Sequence, residues 1–204
     1  MIKVVFFDYD GVLTTDKTGS LTTNRYLSLA TGIGVSRINS VFNRYNEDLI
    51  QGITTHAKIW QRVCGELGQA ISINLLYEAF ESTPVNLGVF SLASQLKARY
   101  TVGIITDNKK DRIDHLKISQ KLDALFNPIL VSAEIGANKQ SVEIFLHALK
   151  CTDTKPEECV FIDNNRENLI KPNALGFKTI FHDDDKNDIL ALVSALDSLG
   201  VTLG

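Results

Sequence analysis

Residues 2–14 of the chain read Ile-Lys-Val-Val-Phe-Phe-Asp-Tyr-Asp-Gly-Val-Leu-Thr, an apolar run followed by two carboxylates and a glycine. The run at 2–7 has the composition of a buried strand, and Gly11 marks a turn directly after it. Asp8 and Asp10 lie so close that they repel each other unless a cation or a shared proton compensates. The stretch indicates a nucleophile and a general acid–base beside a divalent cation or, alternatively, an Asx-type turn that caps the strand.

Further apolar runs and helical patterns follow this stretch along the chain. Four runs are rich in Val, Ile and Phe without clean alternation: 101–106, 127–132, 158–162 and 177–181. Strands covered on both faces of a parallel sheet have this composition. Helical spacing of apolar residues occurs between them at 87–99, 141–149 and 187–199. The alternation predicts an α/β fold with a five-stranded parallel doubly wound (Rossmann-like) sheet.

The interval between the first two strands is too long for one crossover helix. Residues 16–84 contain no strand-like run and show only helical patterns, at 24–31, 36–50, 54–67 and 73–81. The candidate helix N-caps are Asn24, Ser36, Thr54, and Ser72 or Asn74. We therefore predict an inserted α-helical cap domain at 16–84 and a catalytic core made of 1–15 and 85–204. Polar residues near one helix–helix turn of the cap could face a substrate, although ordinary polar surface is the favoured interpretation for each one: Asn46, Asp48, Gln51, Thr54 and Thr55.

Composition excludes several classes of partner. The net charge of −3 and the lack of a basic cluster give no electrostatic reason to expect nucleic acid or an anionic membrane. Three cysteines without C-x-x-C spacing argue against a disulfide framework or a zinc site and fit a reducing compartment. No segment has the 18 or so consecutive apolar residues of a membrane span, and the N-terminal run is too short for a signal peptide. We expect a cytoplasmic monomer or homodimer.

The residues that end the predicted strands carry the chemistry. Ligands of open parallel sheets bind beyond the carboxyl ends of the strands. Thr106 and the backbone amides that follow it suit phosphate oxygens, and Lys139 supplies a point cation for the same oxygens. Asp8 and residues 163–164 suit a hard, oxygen-liking cation, for which Mg²⁺ is the default.

With these stretches in this order, the chain resembles the haloacid dehalogenase (HAD) superfamily, in its phosphatase-like branch with a helical cap of the C1 type. The matching stretches are Phe7-Asp8-Tyr9-Asp10-Gly11-Val12-Leu13-Thr14, Ile104-Ile105-Thr106, Gly136-Ala137-Asn138-Lys139, and Phe161-Ile162-Asp163-Asn164-Asn165 with Asn168 and Leu175-Gly176 downstream. The resemblance covers nearly the whole chain, and the cap is its least defined part. That superfamily also places its helical cap after the first strand.

The resemblance implies a role for each of these residues. Asp8 would attack phosphorus and form an aspartyl-phosphate, and Asp10 would protonate the leaving oxygen and then deprotonate water. Thr106, the amide of Asp107, and Lys139 would hold the transferring phosphoryl group. The substrate would be a small phosphorylated metabolite.

The resemblance also implies a Mg²⁺ ion bound by Asp8, the backbone carbonyl of Asp10, and Asp163 or Asn164. This chain has Asn164 where the superfamily usually has a second acid. An Asn carbonyl binds Mg²⁺ without contributing charge, which predicts weaker metal binding unless Asp163 ligates the ion directly. A non-catalytic protein that binds phosphate or a partner is therefore one alternative.

Two further departures bear on the activity. Asp107 stands where a small or amide residue is common, and we expect that it faces away from the phosphate or that Asn108 takes the contact. Asp10 stands where dehalogenases of the superfamily have Tyr, which favours phosphoryl transfer over dehalogenation. A sugar-phosphate mutase remains an alternative because it would use the same acids and a similar cap.

Overall fold

The computed structural model describes residues 1–203 and contains one five-stranded parallel sheet. The strands are β1 Val4–Phe7, β2 Thr101–Thr106, β3 Ile129–Val131, β4 Cys159–Asp163 and β5 Lys178–Phe181. Their order across the sheet is β3-β2-β1-β4-β5. Each of the five apolar runs thus forms a strand, and the predicted α/β doubly wound fold is confirmed.

The first strand occupies the centre of the sheet, where the order of the strands reverses. Phe7 of β1 pairs with Ile104 of β2 on one side and with Ile162 of β4 on the other. The backbone N–H of Asp8 then donates to the carbonyl of Ile162 at 2.8 Å. Asp8 therefore emerges at the crevice beyond the strand ends, which is where doubly wound sheets bind ligands.

Twelve α-helices of the described chain connect these strands, cover the sheet or lie between β1 and β2. In chain order they are α1 Gly19–Thr31, α2 Val35–Asn43, α3 Asn46–Ile50, α4 His56–Leu67, α5 Ile73–Glu81, α6 Leu87–Leu96, α7 Lys110–Ser119, α8 Leu122–Leu125, α9 Ser132–Ile135, α10 Glu143–Thr152, α11 Ile170–Leu175 and α12 Ile189–Ser198. Apolar residues of α6, α7 and α12 pack on one face of the sheet, and those of α10 pack on the other. Within the described part of the chain, no helix is long and apolar enough to cross a membrane.

The helices between β1 and β2 have an apolar cluster of their own. Its buried members include Leu27, Ile38, Leu49, Trp60 and Phe80. Where the chain leaves and re-enters the core, Thr14 and Val85 form an antiparallel bridge. The division into a cap at 16–84 and a core stays a prediction, and this arrangement is compatible with it.

The structure corrects some predicted helix boundaries. Helix α1 begins at Gly19, so Asn24 lies buried within that helix instead of capping it. The pattern at 36–50 is broken into α2 and α3 by a turn at Arg44 and Tyr45, and the N-cap of α2 is Gly34 in place of Ser36. The side chain of Thr55, not of Thr54, caps α4, whereas Ser72 caps α5 as predicted.

Gly103 in β2 and Gly65 in α4 offer a matched pair of substitutions. A Cβ on Gly103 would lie 2.8 Å from the ring of Phe6 and 2.8 Å from the carbonyl oxygen of Pro128, whereas a Cβ on Gly65 would meet open space. We expect Gly103→Ala to lower the free energy of unfolding by about 1–3 kcal/mol through overpacking. Gly65→Ala should raise it by roughly 0.5–1 kcal/mol because it restricts the unfolded chain. Urea unfolding of both variants measures the direction and size of each change in the free energy of unfolding. A similar decrease in both variants would contradict the packing argument.

Candidate active site

A cavity of about 770 Å³ lies beyond the carboxyl ends of the strands, between the sheet and helices α1 and α3. This volume is typical of sites for small molecules, which span roughly 300–1,000 Å³. The core residues in its wall include Asp8, Asp10, Thr106, Lys139 and Asn164. The structure therefore brings most of the predicted site residues to one cavity.

Asp8 lies at the floor of the cavity with only 5% of its surface exposed. Its Oδ1 accepts a hydrogen bond from the backbone N–H of Tyr9 at 2.7 Å, and its Oδ2 lies 2.8 Å from Nζ of Lys139. Burial raises the pKa of the Asp8 carboxyl above its ordinary value, and the nearby Asp163 raises it further, while Lys139 opposes both effects. The carboxylate of Asp8 thus depends on neighbouring positive charge.

Lys139 supplies positive charge to several carboxylates at once. Its Nζ lies 2.7 Å from Oδ2 of Asp163 as well as 2.8 Å from Asp8, and its backbone N–H donates to Oδ1 of Asp107 at 2.9 Å. Burial alone would lower the pKa of Lys139, but Asp8, Asp163 and Asp107 together raise it above its ordinary value. Lys139 is therefore held as a cation between the carboxylates of Asp8 and Asp163.

Asp163 and Asn164 occupy different positions although they are adjacent in sequence. Asp163 is fully buried, and its oxygens accept from Lys139, from the backbone N–H of Asn165 at 2.7 Å and from the side-chain amide of Asn168. The side chain of Asn164 instead lines the cavity and packs on Gly11, whose φ of +81° and missing Cβ leave room for it. Asp163 positions Lys139, and Asn164 is the residue of the pair that faces the cavity.

The oxygen atoms at this end of the cavity suit Mg²⁺. Asp8, Asp10 and Asn164 line the cavity, and carboxylate, backbone carbonyl and amide oxygens are hard donors of the kind that Mg²⁺ prefers. Within residues 1–203, no three His, Cys, Asp or Glu side chains converge as a metal cluster. The donor types of Asp8, Asp10 and Asn164 nevertheless fit Mg²⁺.

Asp10 is held by Arg112, a residue that sequence reasoning missed. The guanidinium binds both carboxylate oxygens, with NH1 2.8 Å from Oδ2 and NH2 2.9 Å from Oδ1. Burial alone would raise the pKa of the Asp10 carboxyl, but Arg112, with smaller contributions from Lys109 and Asn108, lowers it below its ordinary value. Arg112 lies in the mostly polar helix α7, whose sequence has a weak helical pattern, so only the tertiary structure brings it to Asp10.

Three residues after β2 have separate environments. Thr106 lines the cavity, and Asp107 also lines it while accepting from the backbone of Lys139. Asn108 is 1% exposed, and its amide nitrogen donates to Asp10 Oδ2 at 2.8 Å while its oxygen accepts from Arg112 at 3.0 Å. The structure therefore places Asn108 behind Asp10, and its predicted contact with phosphate stays a prediction.

The cap contributes few of the predicted polar residues to the cavity. Asn46 at the start of α3 lines it, together with Thr18, Gly19 and Ser20, whereas Asp48, Gln51, Thr54 and Thr55 are not part of its wall. The next residue, His56, makes a different contact. Its Nδ1 and its backbone N–H each lie 2.8 Å from an oxygen of Asp111 in α7, which joins the cap to the core.

The sequence model of the haloacid dehalogenase-like hydrolases matches residues 2–170, and the chain belongs to this family of enzymes. Among curated proteins, the pyrophosphatase PpaX of Bacillus mycoides (strain KBAB4) is 29% identical over 94 residues, which is 45% of this chain and 43% of PpaX. The chain spans less than half the length of the curated relatives it matches.

Solved structures share the fold. A HAD-like hydrolase from Porphyromonas gingivalis superimposes with a TM-score of 0.78 at 24% identity, over 96% of this chain and 98% of the other. A HAD family enzyme from Bacteroides thetaiotaomicron, in complex with magnesium and inorganic phosphate, superimposes with a TM-score of 0.70 at 18% identity. The match covers 90% of this chain and 96% of the other. The L-2-haloacid dehalogenase of Xanthobacter autotrophicus superimposes with a TM-score of 0.64 at 14% identity, over 88% of this chain and 76% of the other. These likenesses show that the chain shares its fold with these proteins.

The Asp10–Arg112 pair should contribute to stability in a pH-dependent way. We expect Arg112→Met to lower the free energy of unfolding at pH 7 by about 3–5 kcal/mol because it leaves a buried carboxylate unpaired. Because Arg112 lowers the pKa of Asp10, the pair contributes its full stabilisation at pH values above the ordinary pKa of an Asp carboxyl. This contribution is lost as the pH falls through the lowered pKa of Asp10 in the folded protein. The difference in the free energy of unfolding between Arg112→Met and the wild type should therefore become smaller below about pH 4. Urea unfolding at several pH values measures it.

Lys110→Met is the matched control for this experiment. Lys110 is the nearby residue that pairs with Asp114 at 2.6 Å on the surface, where both side chains are more than 40% exposed. Exposed pairs contribute roughly 0–1 kcal/mol, so this variant should stay close to wild type. Equal losses in the two variants would contradict a special role for the buried pair.

Proposed function

We propose that this hydrolase is a Mg²⁺-dependent phosphatase of a small phosphorylated metabolite that works through an aspartyl-phosphate on Asp8. The observation that carries the proposal is the buried Asp8 carboxylate 2.8 Å from Lys139, with Thr106 and Asp10 in the same cavity wall. A pyrophosphatase relative and a structural neighbour with bound magnesium and phosphate support phosphoryl chemistry over the other reactions of this fold.

In the first step, the residues around Asp8 hold the phosphoryl group while an Asp8 oxygen attacks it. Thr106, the backbone amide of Asp107, and Lys139 bind the non-bridging oxygens. A bond forms between phosphorus and Asp8, and the bond to the leaving oxygen breaks. Asp10 enters this step protonated, donates its proton to that oxygen and becomes the carboxylate that the second step requires. Mg²⁺, when bound, neutralises phosphate charge and so lets the carboxylate approach.

In the second step, water releases phosphate from Asp8. Asp10 accepts a proton from the attacking water, an oxygen–phosphorus bond forms, and the bond between phosphorus and Asp8 breaks to restore the carboxylate. Arg112 favours the ionised form of Asp10, which is the form that accepts this proton. Asn108 adds a hydrogen bond to the same carboxylate and fixes its orientation.

Release of inorganic phosphate from an aryl phosphate tests the proposal. We expect release to require Mg²⁺, to stop with a chelator and to return when Mg²⁺ is restored. Asp8→Asn should lower kcat by at least about 10³-fold because it removes the nucleophile. Full activity in Asp8→Asn would refute the proposed role of Asp8. A mutase would instead isomerise a sugar phosphate in the presence of a bisphosphate, and a binding protein would bind phosphate without turnover.

Asp10→Asn separates the proton-transfer role from binding. We expect kcat to fall by roughly 10²–10⁴-fold for an alkyl phosphate, whose leaving oxygen needs a proton. The loss should be smaller for an aryl phosphate, because the aryl oxide leaves without full protonation. Steady-state kinetics on the two substrates measures the ratio. The same loss on both would argue that Asp10 acts only through the metal or the fold.

A further inference from the structure

Lys109 stands at the junction of two cavities. It lines the large cavity that contains Asp8 and also a smaller one of about 20 Å³ that extends towards Asn24 and Phe42 of the cap. Three cap residues, Gly19, Ser20 and Asn46, line both cavities as well. Among the described residues of 1–15 and 85–203, Lys109 is the one that lines both cavities.

The carboxylates nearest to Lys109 are already used by other groups. Arg112 binds both oxygens of Asp10, and His56 binds both oxygens of Asp111 through its ring and its backbone N–H. Across residues 1–203, the ammonium group of Lys109 has no hydrogen bond or ion pair, whereas the next residue, Lys110, pairs with Asp114 and Glu134. Lys109 is thus a cation without a protein counterion.

The surroundings make this free charge costly. Burial and the adjacent Arg112 lower the pKa of Lys109 to about 8. A buried or half-buried cation normally has a partner, since its hydration is lost without compensation. The cap groups beside it, Ser20 and Asn46, are uncharged and do not neutralise it. An anion that enters the cavity would supply the missing partner.

We propose that Lys109 binds a second anionic group, a carboxylate or a phosphate, on the leaving portion of the substrate. This proposal rests on the proposed function, because it places the transferred phosphoryl group at Asp8 and Lys139. Asp10 is the group that would act on the leaving oxygen, and Lys109 is close enough to contribute to its electrostatic environment. The leaving portion therefore extends past Asp10 towards Lys109 and the cap.

The charges of the site divide between its two ends in a way that fits such a substrate. Lys139 is shared by Asp8, Asp163 and Asp107 at the phosphoryl end. At the cap end, Arg112 binds both oxygens of Asp10, and Lys109 has no direct contact with a carboxylate of the described residues. An uncharged leaving group would leave the half-buried ammonium of Lys109 without a directly bound partner. Ser20 and Asn46 provide polar atoms for hydroxyl groups between the two anions.

Binding to a protein that does not turn over tests this inference directly. The parent is Asp8→Asn in a Mg²⁺ buffer, and calorimetry measures the dissociation constants of two matched ligand pairs. One pair is 3-phosphoglycerate and glycerol 3-phosphate, which differ by a carboxylate. The other is the bisphosphate and the monophosphate of propane-1,3-diol, which differ by a phosphate. We expect the member with two anionic groups in at least one pair to bind about tenfold or more tightly than the member with one, and the preferred pair identifies the second group.

Substitutions at Lys109 assign the preference to that residue. In the same background, Lys109→Met and Lys109→Gln should remove the preference, while Lys109→Arg and the control Lys110→Met should keep it. Thermal unfolding verifies that each variant is folded. Because two neutral replacements are tested, the result does not depend on the folding of a single variant. Equal binding of both members to the parent, or no binding of any ligand, would overturn the inference.

Two other outcomes separate this inference from the proposed function. If Lys109→Met weakens both members of a pair equally, Lys109 contacts the transferred phosphoryl group and the inference is wrong. If the pair preference depends on Lys109 but the wild type releases no phosphate, the phosphatase proposal fails and the anion-binding site stands.

Discussion

The structure depends on one cation, Lys139, that is shared by the carboxylates at the ends of the two central strands. Asp8 and Asp163 both lie within 2.8 Å of its ammonium group, and Asp107 accepts from its backbone. Two buried acids beside one base leave an excess of negative charge, which a buried site tolerates only with further positive charge. The same excess explains why this end of the cavity suits a hard divalent cation together with phosphate oxygens.

A second charged network joins the general acid–base to the cap. Arg112 binds Asp10 with both of its terminal nitrogens, and NH2 also donates to Thr83, where the chain returns from the cap helices. Next to Arg112, Asp111 binds His56 at the start of a cap helix. The position of the cap and the orientation of Asp10 are thus set by neighbouring residues of one helix. Lys109, just before that helix, is the cation that these pairs leave without a counterion.

The parts of the fold that were predicted from sequence share one physical property. The strands are buried on both faces, so they must be continuous apolar runs, and each run formed a strand. Helices such as α6, α10 and α12 bury one apolar stripe, which leaves a periodic pattern. Helix α7 buries little beyond Ile113, Leu116 and the charged Arg112, so its pattern was too weak to predict. The N-cap of α4 was placed one residue early because Thr54 and Thr55 give the same signal. The start of α1 at Gly19 was missed because no side chain caps that helix.

The sequence by itself determined the family, the parallel sheet and the convergence of Asp8, Asp10, Thr106 and Lys139. This was possible because the carboxyl ends of parallel strands meet at one edge, whatever the details of packing. Only the tertiary structure decided which charges pair. It placed Asp163 on Lys139 and Asn164 in the cavity, brought Arg112 onto Asp10 across 102 residues, and left Lys109 without a counterion. Ion pairs between distant segments have no periodic signature in sequence, since they depend on side-chain geometry in the folded chain.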